Sequence, residues 1–321
     1  MFEWSVIDPL LIPIVTAEDD AKREEGEKYF QLCLDCTDLD LRLQYCEEAA
    51  IKGHPMAQYL YGKALCEREN LDDIAEGLPW IYNAAAAGVG EAQLYLARHS
   101  SCHSDEKKDN LVRFVWSLLA ATNGQREAQL FLGEEYYTGK AIRQNNSKAV
   151  YWLTLAAEQG DPNAQVLLGI YYRNLGGRKN LTEAVKWFRL AANHKDTYAQ
   201  YVMGYYYCHG IIVKEDPKRG VKLLKMSAEQ NGKFALYELG NCYLNGVGVE
   251  ANTQTAIDYF QQAADRGDHS AICRIGEIYE EGIGVEKDIF QAVEYYTKAA
   301  KQYYRPAIEK LHSMGYSDSL Y

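Results

Sequence analysis

The pattern of small and apolar residues along the chain repeats every 35 or 36 residues. Its clearest mark is an alanine followed five residues later by a glycine, with an apolar residue directly before the glycine. Eight copies of this string begin at Ala57, Ala92, Ala128, Ala164, Ala199, Ala235, Ala271 and Ala307. The copies at Ala92 and Ala307 lack the glycine. Such regular self-similarity predicts a protein built from one repeated structural unit.

A second pattern alternates with the alanine string. A large residue, aromatic in all copies but one, is followed four residues later by a pair of small residues, as at Trp187 and Ala191-Ala192. Spacings of three and four residues inside both segments are typical of helices. Aspartate, asparagine and glycine mark the joins, as at Asn245-Gly246. Each repeat is therefore predicted to be two helices: helix A, with the alanine string, and helix B, with the large residue and the small pair.

The repeated glycine of helix A predicts close packing. Glycine in the middle of a helix costs about 1 kcal/mol relative to alanine, so its recurrence indicates that another helix approaches closely there. The partner is either helix B of the same repeat or helix A of the next one. We expect the aromatic series to fill the gap between the layers. Since one helix pair cannot bury its apolar face alone, the repeats are expected to stack as a solenoid.

The two patterns together point to a known family. In one-letter code the unit contains A-x-x-x-L-G, then Y, G-x-G-V and A-x-x-W-Y-x-x-A-A-x-x-G, most clearly over 235–267 and 271–300. This pattern, traceable over residues 38–315, resembles the Sel-1-like repeat family, relatives of the tetratricopeptide repeats. The resemblance implies an all-α fold, a right-handed α/α superhelical solenoid of about eight helix-turn-helix repeats of 35–36 residues. It also implies a bacterial-type, cytoplasmic member.

Four segments are predicted along the chain. Residues 1–15 form a non-helical N-terminal arm, and residues 16–56 form a divergent capping repeat with a charged first helix. Residues 57–306 form the repeat solenoid, with repeats that start near 57, 92, 128, 164, 199, 235 and 271. Residues 307–321 form a C-terminal capping helix and tail. Caps of this kind shield the apolar ends of a repeat stack.

Composition and charge exclude two classes of partner. The chain has 321 residues, with 34 Lys and Arg against 45 Asp and Glu, and a formal net charge of −11. Because an acidic chain lacks the positive surface that a phosphate backbone requires, we expect no nucleic acid partner. No apolar run approaches the roughly 18 residues of a membrane span, so we expect no membrane insertion. We expect a monomer, because charged ends oppose open-ended stacking.

The eight cysteines predict reduced thiols. They follow no repeated spacing, and the N-terminal segment lacks the basic start and continuous apolar stretch of a secretory signal. We therefore expect a cytoplasmic protein. One set, Cys33, Cys36, Cys46 and His54, has the residue types of a zinc site, and buried small hydrophobic residues are the alternative. We call this set the Cys/His group.

No catalytic signature is present in the sequence. The phosphate-binding loop, the dinucleotide-binding glycine motif, the zinc-protease motif and the serine nucleophile elbow are all missing. The strings Gly246–Gly248 and Gly282–Gly284 lie in turns between helices A and B, and we interpret them as helix C-caps. We therefore predict no enzyme, no cofactor, no metal and no catalytic residue. A metal- or thiol-dependent enzyme that uses the Cys/His group is the alternative.

The resemblance also implies a binding surface. In tetratricopeptide-like solenoids helix A lines the concave face, which exposes the positions −1, +2, +6, +9 and +10 counted from the repeat alanine. The predicted partner-binding residues are Tyr137, Arg173, Tyr198, Tyr201, Tyr205, His209, Tyr237, Asn241, Glu277, Glu280 and Glu281. Tyrosine, of which the chain has 26, suits interfaces because it offers a large contact area with one polar tip. The alternative is that some tyrosines pack between repeats and that the glutamates only face solvent.

The predicted function is a non-catalytic protein-interaction module, an adaptor or scaffold. Its partner would be a peptide or protein segment held in the concave groove. Apolar anchors of that segment would meet the aromatic centre at 198–237, and a basic end would meet the carboxylates at 277–281. The resemblance leaves a second binding role open, an immunity-type inhibitor that binds and neutralises a cognate toxin.

Overall fold

The computed structural model describes residues 17–68, 70–99, 106–140 and 142–317. These residues form seventeen α-helices and no strand. The helices are α1 (Ala17–Asp35), α2 (Leu39–Ile51), α3 (Pro55–Cys66), α4 (Leu71–Ala86), α5 (Gly90–Arg98), α6 (Glu106–Thr122), α7 (Arg126–Thr138), α8 (Asn146–Glu158), α9 (Pro162–Leu175), α10 (Arg178–Asn193), α11 (Thr197–His209), α12 (Pro217–Glu229), α13 (Lys233–Asn245), α14 (Thr253–Asp265), α15 (His269–Glu281), α16 (Ile289–Ala300) and α17 (Arg305–Ser313). None of the helices in these ranges is long and apolar enough to cross a membrane. The predicted arm, residues 1–15, lies outside the described residues.

From α3 onward, the odd-numbered helices are the A helices of the repeats and the even-numbered helices are the B helices. Each A helix begins two residues before its repeat alanine, so α13 begins at Lys233 for Ala235. The helices fall into two compact units, α1–α8 up to Asp161 and α9–α17 from Pro162. Within each unit every helix packs against the next one along the chain. The predicted all-α fold of stacked helix pairs is confirmed.

The repeated glycine of helix A marks a very close contact within the helix pair. A Cβ atom built on Gly169 would lie 2.6 Å from Cε1 of Phe188, and one built on Gly240 would lie 2.5 Å from Cε1 of Phe260. Both rings belong to helix B of the same repeat. Because real Cβ atoms do not come within 3.0 Å of a neighbouring atom, a larger residue would push the ring away. Of the two packing partners that the sequence left open, the structure selects helix B.

The predicted aromatic series packs between helices A and B. The residue directly after each member of the series packs in the same gap. The ring against the glycine belongs to that next residue, for instance Phe260 after Tyr259. Tyr259 itself stacks on Tyr243 of α13, with ring centroids 5.4 Å apart, and Tyr295 of α16 stacks on Tyr279 of α15 at 5.9 Å. Part of the tyrosine content is therefore scaffold.

Glycine and asparagine or aspartate form the turn from helix A to helix B. Gly246 ends α13 in the left-handed conformation, with φ at 70°, and Gly282 ends α15 in the same way, with φ at 73°. The Asn252 amide then donates to the Tyr243 carbonyl oxygen at 2.8 Å, and the Asn252 side chain accepts from the Thr255 amide at 2.8 Å to begin α14. The interpretation of the two glycine strings as helix C-caps is confirmed.

Glutamines after the repeat alanine connect neighbouring repeats. In the first unit Gln93 Nε2 donates to the Ala85 carbonyl oxygen at 2.9 Å, and its Oε1 accepts from Asn123 Nδ2 at 2.8 Å. In the second unit Gln230 Nε2 donates to Gln200 Oε1 at 2.8 Å. The bond from Gln93 adds a second donor to the Ala85 carbonyl oxygen at the end of α4, which also accepts from the Gly88 amide, and the side-chain bonds tie each repeat to the next one.

Replacing Gly240 by alanine is expected to destabilise the protein by about 1–3 kcal/mol, because the new methyl group meets the Phe260 ring. The better helix propensity of alanine, about 1 kcal/mol, offsets only part of this cost. Urea unfolding followed by circular dichroism measures the change. The cost of Gly240→Ala should be smaller when Phe260 is already leucine, since the clashing ring is gone. An equal cost in both backgrounds would contradict this packing.

Candidate partner-binding surface

Four rings form a continuous strip along α11. Tyr198, Tyr201, Tyr205 and His209 follow one another at spacings of three or four residues, which places them on one face of the helix. Successive ring centroids are 6.0, 6.5 and 4.3 Å apart. Phe234 of α13 joins the strip, with its ring 5.6 Å from that of Tyr201 and 49% of its surface exposed. We call these five residues the aromatic surface.

Arg173 of α9 orders one end of the aromatic surface. Its Nη1 donates a hydrogen bond to the Tyr198 hydroxyl oxygen at 2.7 Å, and its guanidinium carbon lies 5.9 Å from the centre of the same ring. Tyr198 also packs edge-on against the buried Phe188, with ring centroids 6.2 Å apart. The structure thus brings Arg173 together with the four residues of α11 that the sequence prediction named.

Glu238 of α13 belongs to this region, and the sequence prediction missed it. The residue is half-buried, and burial raises the pKa of its carboxyl group, although the Asn241 side chain that hydrogen-bonds it and the nearby His209 act in the opposite direction. Burial, with Glu238 as the next cause, raises the pKa of Tyr201 to about 12. Glu238 follows Phe234 by four residues on α13, so the two side chains lie on one face of the helix and Glu238 borders the aromatic surface.

A departure from the repeat pattern is the signal that could have revealed Glu238. It occupies the position three residues after the repeat alanine. The first five copies have an aliphatic or aromatic residue there: Leu60, Tyr95, Phe131, Leu167 and Val202. The last two copies have Arg274 and Lys310. A carboxylate at a position that is apolar in five copies and basic in two departs from the repeat pattern, and such departures concentrate at functional sites.

Tyr237 and Asn241, two further predicted residues, support the surface from α13. The Tyr237 ring packs on Phe260 of α14, with centroids 5.4 Å apart, and burial raises the pKa of its phenol. Asn241 hydrogen-bonds the side chains of Tyr237 and Glu238. The contact of Tyr237 with α14 agrees with the alternative in which a tyrosine packs inside the repeat.

Two of the three predicted carboxylates are engaged inside the protein. Glu277 forms an ion pair with the guanidinium of Arg274 at 2.5 Å. Glu280 accepts hydrogen bonds from the Tyr296 hydroxyl at 2.5 Å and from Lys310 Nζ at 2.9 Å. Burial acts to raise the pKa of Glu280, but these two partners outweigh burial and lower the pKa below its usual value. A basic segment that approaches this end would compete with side chains already in place.

The last two predicted residues stand apart from the aromatic surface. Glu281 is exposed at the C-terminal end of α15. Tyr137 belongs to the first unit, where it lies half-buried near the end of α7 and its carbonyl oxygen accepts a hydrogen bond from Gln144 Nε2 at 2.8 Å.

The first unit has an open cleft of about 480 Å³, lined by residues of α3 and α5. Tyr59 and Leu94 line it at position +2, and Lys63 and Arg98 line it at position +6. Tyr95 lines it from position +3, the position that Glu238 occupies in its own repeat. In this unit, therefore, residues at positions that the resemblance assigns to the inner face line a cleft. A residue at position +3 lines the same cleft.

The Cys/His group does not converge on one point. Cys33 and Cys46 are buried, and burial, with Cys33 as the next cause, raises the pKa of Cys46 to about 12. The Cys36 thiol donates to a backbone carbonyl oxygen at 3.4 Å. His54 caps α3, because its Nδ1 accepts a hydrogen bond from the Ala57 amide at 3.2 Å. Across the described ranges, no three His, Cys, Asp or Glu side chains are placed to hold a metal ion.

Comparison with known proteins identifies the repeat. The Sel1 repeat model matches five consecutive segments, residues 126–161, 162–196, 197–232, 233–268 and 269–304. Together these segments cover more than half of the chain. The chain belongs to the Sel1 repeat family. Sel1 repeat proteins are generally protein-interaction modules.

Solved structures of Sel1 repeat proteins are similar to this chain. A protective antigen with an SLR fold, present in uropathogenic Escherichia coli strains, is 27% identical, with a TM-score of 0.71, and the match covers 92% of this chain but 64% of the antigen's chain. A Sel1 repeat protein from Oxalobacter formigenes is 28% identical, with a TM-score of 0.58 and coverage of 75% and 96%. An immunity protein from Pseudomonas aeruginosa is 18% identical, with a TM-score of 0.40 and coverage of 66% and 81%, a similarity too low to support an inference. A comparison with curated protein sequences found no match.

Replacing Glu238 by glutamine is expected to stabilise this Sel1 repeat protein at neutral pH by a few tenths to about 1 kcal/mol, because a half-buried charge is removed. Since the folded protein holds the Glu238 proton more tightly than the unfolded chain does, the native protein gains stability as the pH falls through the raised pKa. The advantage of the variant should therefore disappear below about pH 4, under the ordinary pKa of glutamate.

Urea unfolding of the native protein and of Glu238→Gln, at neutral pH and below about pH 4, measures this difference in stability. Glu281→Gln is the matched control, because Glu281 is exposed, and it is expected to change stability little at either pH. An advantage of Glu238→Gln that persists at low pH, or that is absent at neutral pH, would contradict the burial of this carboxylate.

Proposed function

We propose that the protein is a non-catalytic adaptor or scaffold that binds a segment of a partner protein along the aromatic surface of its second unit. The observation that carries this proposal is the strip of five rings on α11 and α13, which contact one another while each keeps part of its area exposed. Aromatic rings that are clustered and accessible are the usual anchors of protein interfaces.

The division of tyrosines on α11 supports this role. Tyr206 and Tyr207 are 6% exposed and belong to the core of the unit, whereas Tyr201 and Tyr205 on the same helix remain only partly buried. Packing within the repeat accounts for the first pair. The second pair offers a large contact area with polar hydroxyl tips, at the cost of ordering only two torsion angles per side chain.

The order of the aromatic surface also favours binding. Tyr198 is held by Arg173 and Phe188, and the rings of α11 contact their neighbours along the helix. A side chain that is already ordered loses little freedom when a partner binds, so more of the contact energy appears as affinity. Repeat proteins use extended surfaces of this kind to hold extended segments.

The state of two buried cysteines favours binding over catalysis. Burial raises the pKa of Cys46 to about 12 and that of Cys273 to about 11, whereas nucleophilic thiols have lowered pKa values in partly exposed sites. His54, the other member of a conceivable metal or thiol site, is engaged as a helix cap. Buried thiols of this kind suit a reducing compartment, which supports the cytoplasm as the location.

Site-specific photo-crosslinking tests the proposed surface. When p-benzoylphenylalanine replaces Tyr205 or Phe234 in the full chain, ultraviolet irradiation of the native cells is expected to give the same discrete protein adduct from both positions. Lys222, which is exposed on helix α12, is the control position and is expected not to give this adduct. The adduct at position 222 alone, or at none of the three positions, would contradict the proposal.

A further inference from the structure

We infer that Glu238 and the rings beside it bind a lysine or arginine side chain of the partner segment. The assignment rests on the binding role proposed above, and it adds the chemistry of one contact. The carboxylate of Glu238 supplies the counter-charge, and the Tyr201 ring supplies an apolar wall.

Glu238 forms no ion pair with a lysine or arginine in the described part of the protein. No lysine or arginine there has a side-chain nitrogen within 4.0 Å of its carboxylate. Arg274 and Lys310, the charged residues at the same repeat position, are both paired, with carboxylates at 2.5 and 2.9 Å. Because a half-buried carboxylate without a lysine or arginine partner costs stability, its presence at a position that is apolar or basic in the other repeats indicates that such a partner comes from outside the chain.

The surroundings of Glu238 suit an organic cation. Glu238 shares one face of α13 with Phe234, four residues before it, and the Phe234 ring lies 5.6 Å from the Tyr201 ring. The electrostatic effect of Glu238 reaches Tyr201, and that of His209 reaches Glu238. The face of an aromatic ring attracts positive charge, and a carboxylate accepts charge-assisted hydrogen bonds. The alkyl stem of a lysine or arginine can lie along the rings while its charged head reaches the carboxylate.

The chain contains such an arrangement in its own C-terminal repeat. Lys310 donates to Glu280 at 2.9 Å and lies 6.0 Å from the centre of the Tyr296 ring, whose hydroxyl donates to the same carboxylate. Carboxylate, tyrosine ring and basic side chain thus meet within one unit. At Glu238 the carboxylate and the ring are present, and the partner would provide the basic side chain.

A metal ion or an acidic segment fits this place less well. The described residues bring no set of three metal-ligating side chains together, and calcium or magnesium takes at least six oxygen ligands. The net charge of −11 repels an acidic partner and attracts a basic one.

Selection of short random peptides displayed on phage, with the full chain as bait, tests the assignment. Peptides enriched on the native protein are expected to share a lysine or arginine at a fixed distance from apolar residues. On Glu238→Gln the basic position should disappear while the apolar positions remain. Glu229→Gln, at an exposed carboxylate of α12 in the same unit and outside the predicted binding residues, should leave both preferences unchanged. Unfolding midpoints of the variants confirm that they are folded.

The affinity of one enriched peptide then isolates the contact. We expect Glu238→Gln in the protein to weaken binding about tenfold at low salt. Replacing the basic residue of the peptide by norleucine should have the same effect. Both changes together should cost no more than one, because they remove the same interaction. The difference should shrink as salt screens the charges.

Four results overturn the assignment, and the last two of them also contradict the proposed function. If the enriched peptides have no basic position, or if the two losses of affinity add in the double change, Glu238 does not bind a cation. If replacing Tyr205 by alanine still weakens peptide binding in that case, the aromatic surface remains the binding site. Peptide binding that depends on neither Glu238 nor Tyr205, or a selection that enriches no peptide, would contradict this assignment and the proposed function together.

Discussion

The close contact between helix A and helix B of one repeat is the interaction on which the rest of the structure depends. At Gly169 and Gly240 the absence of a side chain lets a ring of helix B rest against the backbone of helix A. Because protein interiors are close-packed, such a contact sets both the distance between the helices and their rotation about their own axes. The rotation in turn decides which residues of helix A enter the core and which stay available for other contacts.

The rotation separates tyrosines that have different roles. On α11 it places Tyr206 in the core and leaves Tyr201 among the rings of the aromatic surface. In the following repeat Tyr243 and Tyr259 stack on each other inside the helix pair. The tyrosines therefore divide into two groups: the ring stacks that repeat with the unit, and the partly exposed rings on α11 that we propose as a binding surface.

Charge enters where the sequence departs from its own repeat. At the third position after the repeat alanine, Arg274 and Lys310 are balanced by carboxylates of the same unit, whereas Glu238 forms no ion pair with a lysine or arginine of the described residues. The unmodified repeat supplies a scaffold with fixed geometry. Substitutions on that scaffold supply the polar features that distinguish one partner from another.

The sequence by itself determined the helix pairs, the start of each repeat, the glycine contact and the capping glycines, because all of these depend on spacings of a few residues that recur with the unit. Only the tertiary structure decided that the glycine faces helix B, that Glu280 is bound by Lys310 and that the Cys/His group does not converge. It also decided that Phe234, on the same helix face as Glu238, contacts Tyr201. These outcomes depend on which side chains from different helices come within a few ångströms of one another. That proximity follows from the rotation and spacing of packed helices, which no single repeat encodes.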